Sequence, residues 1–189
     1  MASSQAAKQL READPHGPIT VVGDESYVPY DRPPLSKEFL RGEKPREALF
    51  FDPEQYLHDQ GIGLVLDNAV ERLDLNKKTA MFTNGDAIVF EKALIATGGR
   101  PVRLRLPGSE LSGVHYLRTL DDSASIAAEA EPGKRAVIIG AGFIGMEVAA
   151  SLTQRGVHVT VIEAQPHIWP RFADATLALS FRSTVPREV

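Results

Sequence analysis

The sequence predicts an α/β fold built on parallel sheets, with an antiparallel β-meander inserted. Three observations predict it. Residues 134–163 read as one complete strand–helix–strand unit, residues 2–24 repeat the second half of such a unit, and between them lie short strand-like runs separated by turn residues. Strand and helix patterns that alternate in this way are the signature of parallel sheets covered by helices.

The central unit opens on Arg135–Ile139, a short apolar run rich in β-branched residues, as a buried parallel strand should be. Gly140-Ala141-Gly142-Phe143-Ile144-Gly145 follows at once, giving G-x-G-x-x-G between strand and helix. In that pattern Gly140 permits the tight turn, Gly142 lets backbone approach a pyrophosphate, and Gly145 lets the helix pack close to the strand. The helix N-terminus adds unpaired N–H groups and a partial positive charge. The helix is expected to run to about Arg155 and stop at Gly156, with a second strand over 157–162 ending on Glu163. Glu163 lies 18 residues beyond Gly145, near the spacing of the acid that bonds ribose hydroxyls. A carboxylate there repels a 2′-phosphate, so NAD is expected over NADP. A membrane span over 136–152 is excluded, because the run is short, carries Glu147 and holds three glycines.

Composition narrows the remaining classes. A net charge of −4 with dispersed Lys and Arg argues against nucleic acid as a partner. The first 14 residues lack the apolar stretch of a signal peptide, so a cytoplasmic protein without membrane partners is expected. With no cysteine, the chain itself holds no redox disulfide, cysteine-ligated iron–sulfur cluster or thiolate zinc. The five histidines show no metal-ligand spacing, and no metal site is expected.

From the start of the chain, residues 2–14 read as a helix with Ala6, Ala7 and Leu10 on one face, broken by Pro15 and Gly17. Ile19–Val22 reads as a short strand closed by Gly23-Asp24-Glu25. No glycine precedes Gly17, so the chain is expected to begin inside a second dinucleotide-binding unit, without its first strand and glycine loop. Residues 27–37 form a proline-stiffened loop carrying Arg32 and Lys37. Residues alone allow two readings of it: two cations held against an anionic or electron-rich ligand, or two solvated cations on a surface loop. A helix is expected over 53–60 with Asp52 as N-cap and Gly61 as terminator. Strands are expected over 63–66, 70–75, 79–82 and 87–90, with Asn84-Gly85 as a hairpin turn. A further buried strand over 93–96 should end in Thr97-Gly98-Gly99, where ligands bind in α/β proteins. A crossover over 100–113 leads to a helix over 121–130, and a last helix is expected over 172–183.

Together VVGDE, PYDRPPLSK, ALIATGGRP, YLRTLDD and GAGFIGMEVAA resemble the flavin-dependent NAD(P)H:ferredoxin reductases. These are flavoproteins with two dinucleotide-binding domains; they include putidaredoxin reductase, the reductases of Rieske-type dioxygenases and the apoptosis-inducing-factor-like proteins. The resemblance implies an incomplete FAD/NAD(P)-binding fold, with residues 1–115 a partial FAD domain and 116–189 a partial NAD domain of Rossmann type. It implies that Asp24 and Glu25 meet the FAD ribose, that Arg32 and Lys37 contact FAD, and that Lys37 lies near the flavin ring. Val70 would touch adenine, Ala96, Thr97 and Gly98 would line the FAD, and Arg118 would help bind its adenosine end. Gly140, Gly142, Ile144 and Gly145 would hold NAD phosphates, Glu163 its ribose, and Glu147 would approach the nicotinamide side. FAD and NAD then do the chemistry with no catalytic side chain, hydride passing from NADH to FAD and electrons on to a ferredoxin-type iron–sulfur protein.

Relative to that family the chain is expected to be truncated at both ends, with open sheet edges through which copies could associate. Two functions follow: an FAD-dependent, NADH-oxidising reductase, or a non-catalytic NAD-binding remnant. A short-chain dehydrogenase is excluded because no tyrosine has a lysine four residues later, and a disulfide reductase because there is no cysteine.

Overall fold

The computed structural model describes residues 2–169, 174, 176 and 177. The helix expected over 172–183 otherwise lies outside the described residues. Two compact units divide the chain: Met1–Asp31 with Glu47–Gly99, and Arg32–Arg46 with Arg100–Val189. This division cuts the proline-stiffened loop, placing Tyr27–Asp31 in the first unit and Arg32–Lys37 in the second. It also places residues 100–115 in the second unit.

In the first unit, helix α1 (Ala2–Ala13) leads to strand β1 (Ile19–Val22), and helix α2 (Glu54–Asp59) leads to strand β2 (Ile62–Val65). The two strands pair in parallel, from Ile19 opposite Ile62 to Val22 opposite Val65. The sequence pattern alone groups β2, expected at 63–66, with the antiparallel meander. It belongs to the parallel sheet because a helix precedes it, and a helical crossover returns a strand in the same direction. Ala7, Val28, Leu57 and Ile62 form the core beneath these helices, with Ile19, Val21, Phe50, Leu64 and Leu66 packed around them.

The meander is β3 (Val70–Asp74), β4 (Thr79–Phe82) and β5 (Ala87–Val89), antiparallel in that order. Its hairpin turn at Asn84-Gly85 puts Gly85 at φ +90°, a conformation that costs glycine nothing. A carboxylate stabilises the other turn, between β3 and β4, where Lys77 N–H donates to Asp74 Oδ1 at 2.9 Å.

Three local expectations need correction. The buried face of α1 is Ser4 and Ala7, while Leu10 is 53% exposed. Asp52 does not cap α2, whose N-cap is Pro53; its carboxylate pairs with Lys8 at 2.8 Å instead, a tertiary contact that outcompetes the local one. Residues 93–96 form no strand, and Leu94 and Ile95 are 65% and 70% exposed. A strand exists only where its backbone is paired, and apolar composition cannot supply the partner. An open cleft of about 420 Å³ separates this segment from α1, lined by Ala6, Gln9, Leu10, Lys92, Ala93 and Leu94.

In the second unit, helix α3 (Leu120–Glu129) precedes the β6 (Arg135–Ile139), α4 (Phe143–Gln154), β7 (His158–Ile162) unit. Thr119 and Asp122 form a reciprocal capping box at the start of α3. Strands β6 and β7 pair in parallel, Arg135 opposite His158 through Ile139 opposite Ile162. Gly156, at φ +81°, ends α4 as expected. Val148, Ala149 and Leu152 of α4 pack against Val157 and Val159, and Leu40 and Ala130 complete that core. The opposite face of the β6–β7 sheet leaves Val137, Ile139 and Ile162 exposed.

Among the described residues no helix is long and apolar enough to cross a membrane, and no cluster of His, Asp or Glu is placed to hold a metal ion.

Candidate functional site

The glycine loop between β6 and α4 lies at the carboxyl ends of both parallel strands, where ligands bind in such sheets. Its three glycines meet three different constraints. Gly140 sits at φ +107°, and its N–H donates to Ile162 O at 2.7 Å, so the turn is made against β7. Gly142 is the N-cap of α4 with extended backbone, and a Cβ built there meets nothing within 4 Å. Gly145 is the opposite case, because a Cβ there would overlap Gly140 O and lie 3.2 Å from Gly140 C. Open space at Gly142 and no space at Gly145 are what a phosphate-binding turn requires.

Glu163 follows β7 and bends back to the loop. Its carboxylate accepts from Ala141 N–H at 2.7 Å and from Gln165 N–H at 2.9 Å. The bond from Ala141, then that from Gln165, holds this carboxyl below the usual range of a glutamate. Ile144, next to the loop on α4, is exposed.

One turn further along α4, Glu147 accepts from Ser36 Oγ at 2.6 Å and pairs with Lys37 Nζ at 2.7 Å. The segment 32–46 is thereby fixed on the helices of its own unit. Ser123 Oγ donates to Leu35 O at 2.6 Å, and Ser151 Oγ donates to Ser36 O at 2.7 Å. Arg32 Nη1 donates to Arg118 O at 2.7 Å. The two cations left open between a ligand-facing and a solvated loop are thus both engaged by their own unit, on a turn whose Pro34, Leu35 and Ser36 are buried.

Burial pushes the Glu147 carboxyl up, but the Lys37 ammonium and Ser36 hydroxyl outweigh that and hold it below the usual range. A depressed carboxyl contributes stability that is present above its unfolded pKa, about 4.3, and is lost as pH falls through the lower folded value. Urea midpoints should therefore drop more steeply in wild type than in Glu147→Gln below about pH 4.3; parallel profiles would remove this pair from the acid response.

In the first unit, Asp24 and Glu25 follow β1, and the Tyr30 hydroxyl donates to the Glu25 carboxylate. Asn68 N–H donates to Gly23 O at 3.0 Å and Asp67 N–H to Glu25 O at 3.1 Å, which brings the start of β3, with half-exposed Val70, beside them. Ala96, Thr97 and Gly98 lie in the exposed irregular segment, with Gly98 at φ +69°. The structure thus gathers Gly140, Gly142, Ile144, Gly145, Glu147 and Glu163 at one end of the second unit, with Lys37 joined through Glu147. Arg32 meets Arg118 elsewhere in that unit.

Ser36, Ser151, Arg155 and Trp169 also shape this end of the unit, and the sequence pattern does not single them out. Trp169 N–H donates to Ala141 O at 3.0 Å, and its ring lies 5.4 Å from that of Phe143. No periodicity or motif marks these residues, since each acts on a partner far away in sequence.

The sequence profile of the pyridine nucleotide-disulphide oxidoreductases matches residues 1–182. The chain belongs to that family. Rhodocoxin reductase of Rhodococcus erythropolis is 43% identical over 163 residues, which are 86% of this chain and 38% of that protein. A ferredoxin reductase structure from Rhodopseudomonas palustris superposes with TM-score 0.90 at 36% identity, covering 97% of this chain and 45% of its own. The covalent putidaredoxin reductase–putidaredoxin complex gives TM-score 0.85 at 30% identity, covering 94% of this chain and 43% of its own. The chain therefore spans less than half the length of these relatives.

Proposed function

We propose that this chain binds NADH and FAD in a reductase that passes electrons to a ferredoxin-type iron–sulfur protein in the cytoplasm. The observation that carries the reading is the glycine loop: space for a phosphate at Gly142, helix packed on turn at Gly145, and a carboxylate at the end of β7. These features fit the pyrophosphate and ribose of NAD. Gly140, Gly142, Ile144 and Gly145 would hold the phosphates and Glu163 the ribose. Glu147 lies one turn from the loop and would face the nicotinamide side. For FAD the residues that the resemblance assigns are Asp24, Glu25, Arg32, Lys37, Val70, Ala96, Thr97, Gly98 and Arg118. FAD, when bound, supplies the conversion of a two-electron hydride into single electrons. Lys37 supplies a positive charge, oriented by Glu147, that favours an electron-rich ring. Ferredoxin-type partners are supported by the relatives' names and by the putidaredoxin complex.

A second reading, a non-catalytic NAD-binding remnant, is favoured by one observation: the segment carrying Ala96, Thr97 and Gly98 is exposed and unpaired in any sheet, while the NAD loop is fully braced. The experiment is to titrate the purified chain with FAD and follow NADH oxidation with an artificial acceptor. Flavin uptake and turnover support the reductase. NAD binding without either leaves the remnant. Gly142→Val should keep the melting temperature and abolish NAD binding by calorimetry, because its side chain fills the phosphate space rather than protein. Unchanged affinity would refute the cradle.

A further inference from the structure

The peptide groups of Ala141 are held from both sides by one segment. Its N–H is taken by Glu163, and its C=O is taken by the N–H of Trp169. Ala141 is 1% exposed, so neither group can fall back on water. Trp169 stands at φ +51°, a backbone conformation that a bulky residue adopts only when its surroundings impose it, and its ring rests on Phe143, the first residue of α4. The second Glu163 oxygen accepts from Gln165 N–H, which locks the carboxylate in this orientation.

We propose that the segment 163–169 is a clasp that sets the glycine loop before any nucleotide arrives, and that Glu163 is its positioning residue as well as the ribose acceptor. This rests on the NAD-binding reading above and deepens it, because it changes what Glu163 does for specificity. Each carboxylate oxygen carries a second lone pair, so a ribose hydroxyl can be accepted while Ala141 stays bound. An acid that only repelled a 2′-phosphate could be removed by any neutral residue, and NADP would then bind better. An acid that also holds Ala141 N–H cannot. Glutamine retains an acceptor for that N–H and loses the repelling charge; alanine loses both and orphans a buried donor.

The test uses the whole chain, labelled with nitrogen-15. Amide exchange at Ala141, measured without nucleotide, should be slow in wild type and Glu163→Gln and about tenfold faster in Glu163→Ala. Calorimetry with NAD⁺ and NADP⁺ should show Glu163→Ala weakened about tenfold for both, while Glu163→Gln gains NADP⁺ affinity. The clasp is overturned if Ala141 exchanges equally fast in wild type and Glu163→Ala, or if the two variants treat NADP⁺ alike. A protected Ala141 amide in a wild-type chain that binds neither nucleotide would support the clasp and overturn the binding reading.

Discussion

Gly145→Val is expected to abolish NAD binding and to destabilise the second unit by about 3 kcal/mol or more. Any Cβ at this position overlaps Gly140 O, and it also comes within 3.5 Å of Ile138 Cγ2. The obstacle is backbone, so no rotamer change relieves it. Either α4 lifts away from β6, breaking the packing of Val148, Ala149 and Leu152, or Gly140 abandons the φ +107° turn that carries its bond to Ile162 O. Alanine should cost less, because the turn needs to give by only one methyl. The contrast with Gly142→Val separates two causes of lost affinity: the first variant loses the turn, the second keeps it and blocks the ligand. Urea unfolding and calorimetry on both variants check this, and Gly145→Val with wild-type stability would show that the turn is not held by this contact.

Arg155→Ala is expected to cost about 3 kcal/mol, and Arg155→Lys a little less. The guanidinium donates to three carbonyls: Leu40 O at 2.6 Å, Ala127 O at 2.7 Å and Ala130 O at 3.1 Å. Two of these lie at the C-terminal end of α3, where carbonyls lack helical partners and a cation opposes the helix dipole. The third lies in the segment 32–46. One side chain thus ties α3 and the Lys37 segment to the end of α4. Charged hydrogen bonds contribute about 1.5–3 kcal/mol each, and removal of a shared donor is less than additive. Lysine keeps the charge but cannot form the fork. A denaturation midpoint within error of wild type in Arg155→Ala would disprove this role.

These two residues differ in how far the sequence announces them. Gly145 stands in a motif whose strand, turn and helix signals lie within a few residues of each other. Arg155 shows in the sequence only as a polar residue before a terminating glycine. Its three acceptors come from 25 to 115 positions away, and carbonyls carry no sequence mark. Ser36 and Ser151 are alike in this respect, since a buried serine that donates to a distant acceptor, the Glu147 carboxylate for Ser36 and Ser36 O for Ser151, reads as an ordinary polar residue.

The candidate site divides in the same way. The loop glycines and Glu163 were legible because their spacing along the chain determines their spacing in space. Arg32 and Lys37 were not: a stiff loop with two cations is compatible with solvent or ligand until Arg118 O and the Glu147 carboxylate are brought against it. The clasp on Ala141 was likewise invisible, since it depends on where residues 163–169 turn after β7.

The sequence by itself determined the β6–α4–β7 unit, its glycine loop, its Gly156 stop, the β4–β5 hairpin and the family resemblance, all of which follow from local backbone preferences and short-range periodicity. Only the tertiary structure decided that β2 lies parallel to β1, that residues 93–96 stay unpaired, and that Asp52 binds Lys8 instead of capping α2. It also decided that residues 32–46 pack on α3 and α4. Each of those outcomes depends on which distant backbone or charge reaches a group first. That competition is settled by packing and hydrogen-bond pairing across the fold, which propensity within any one segment does not contain.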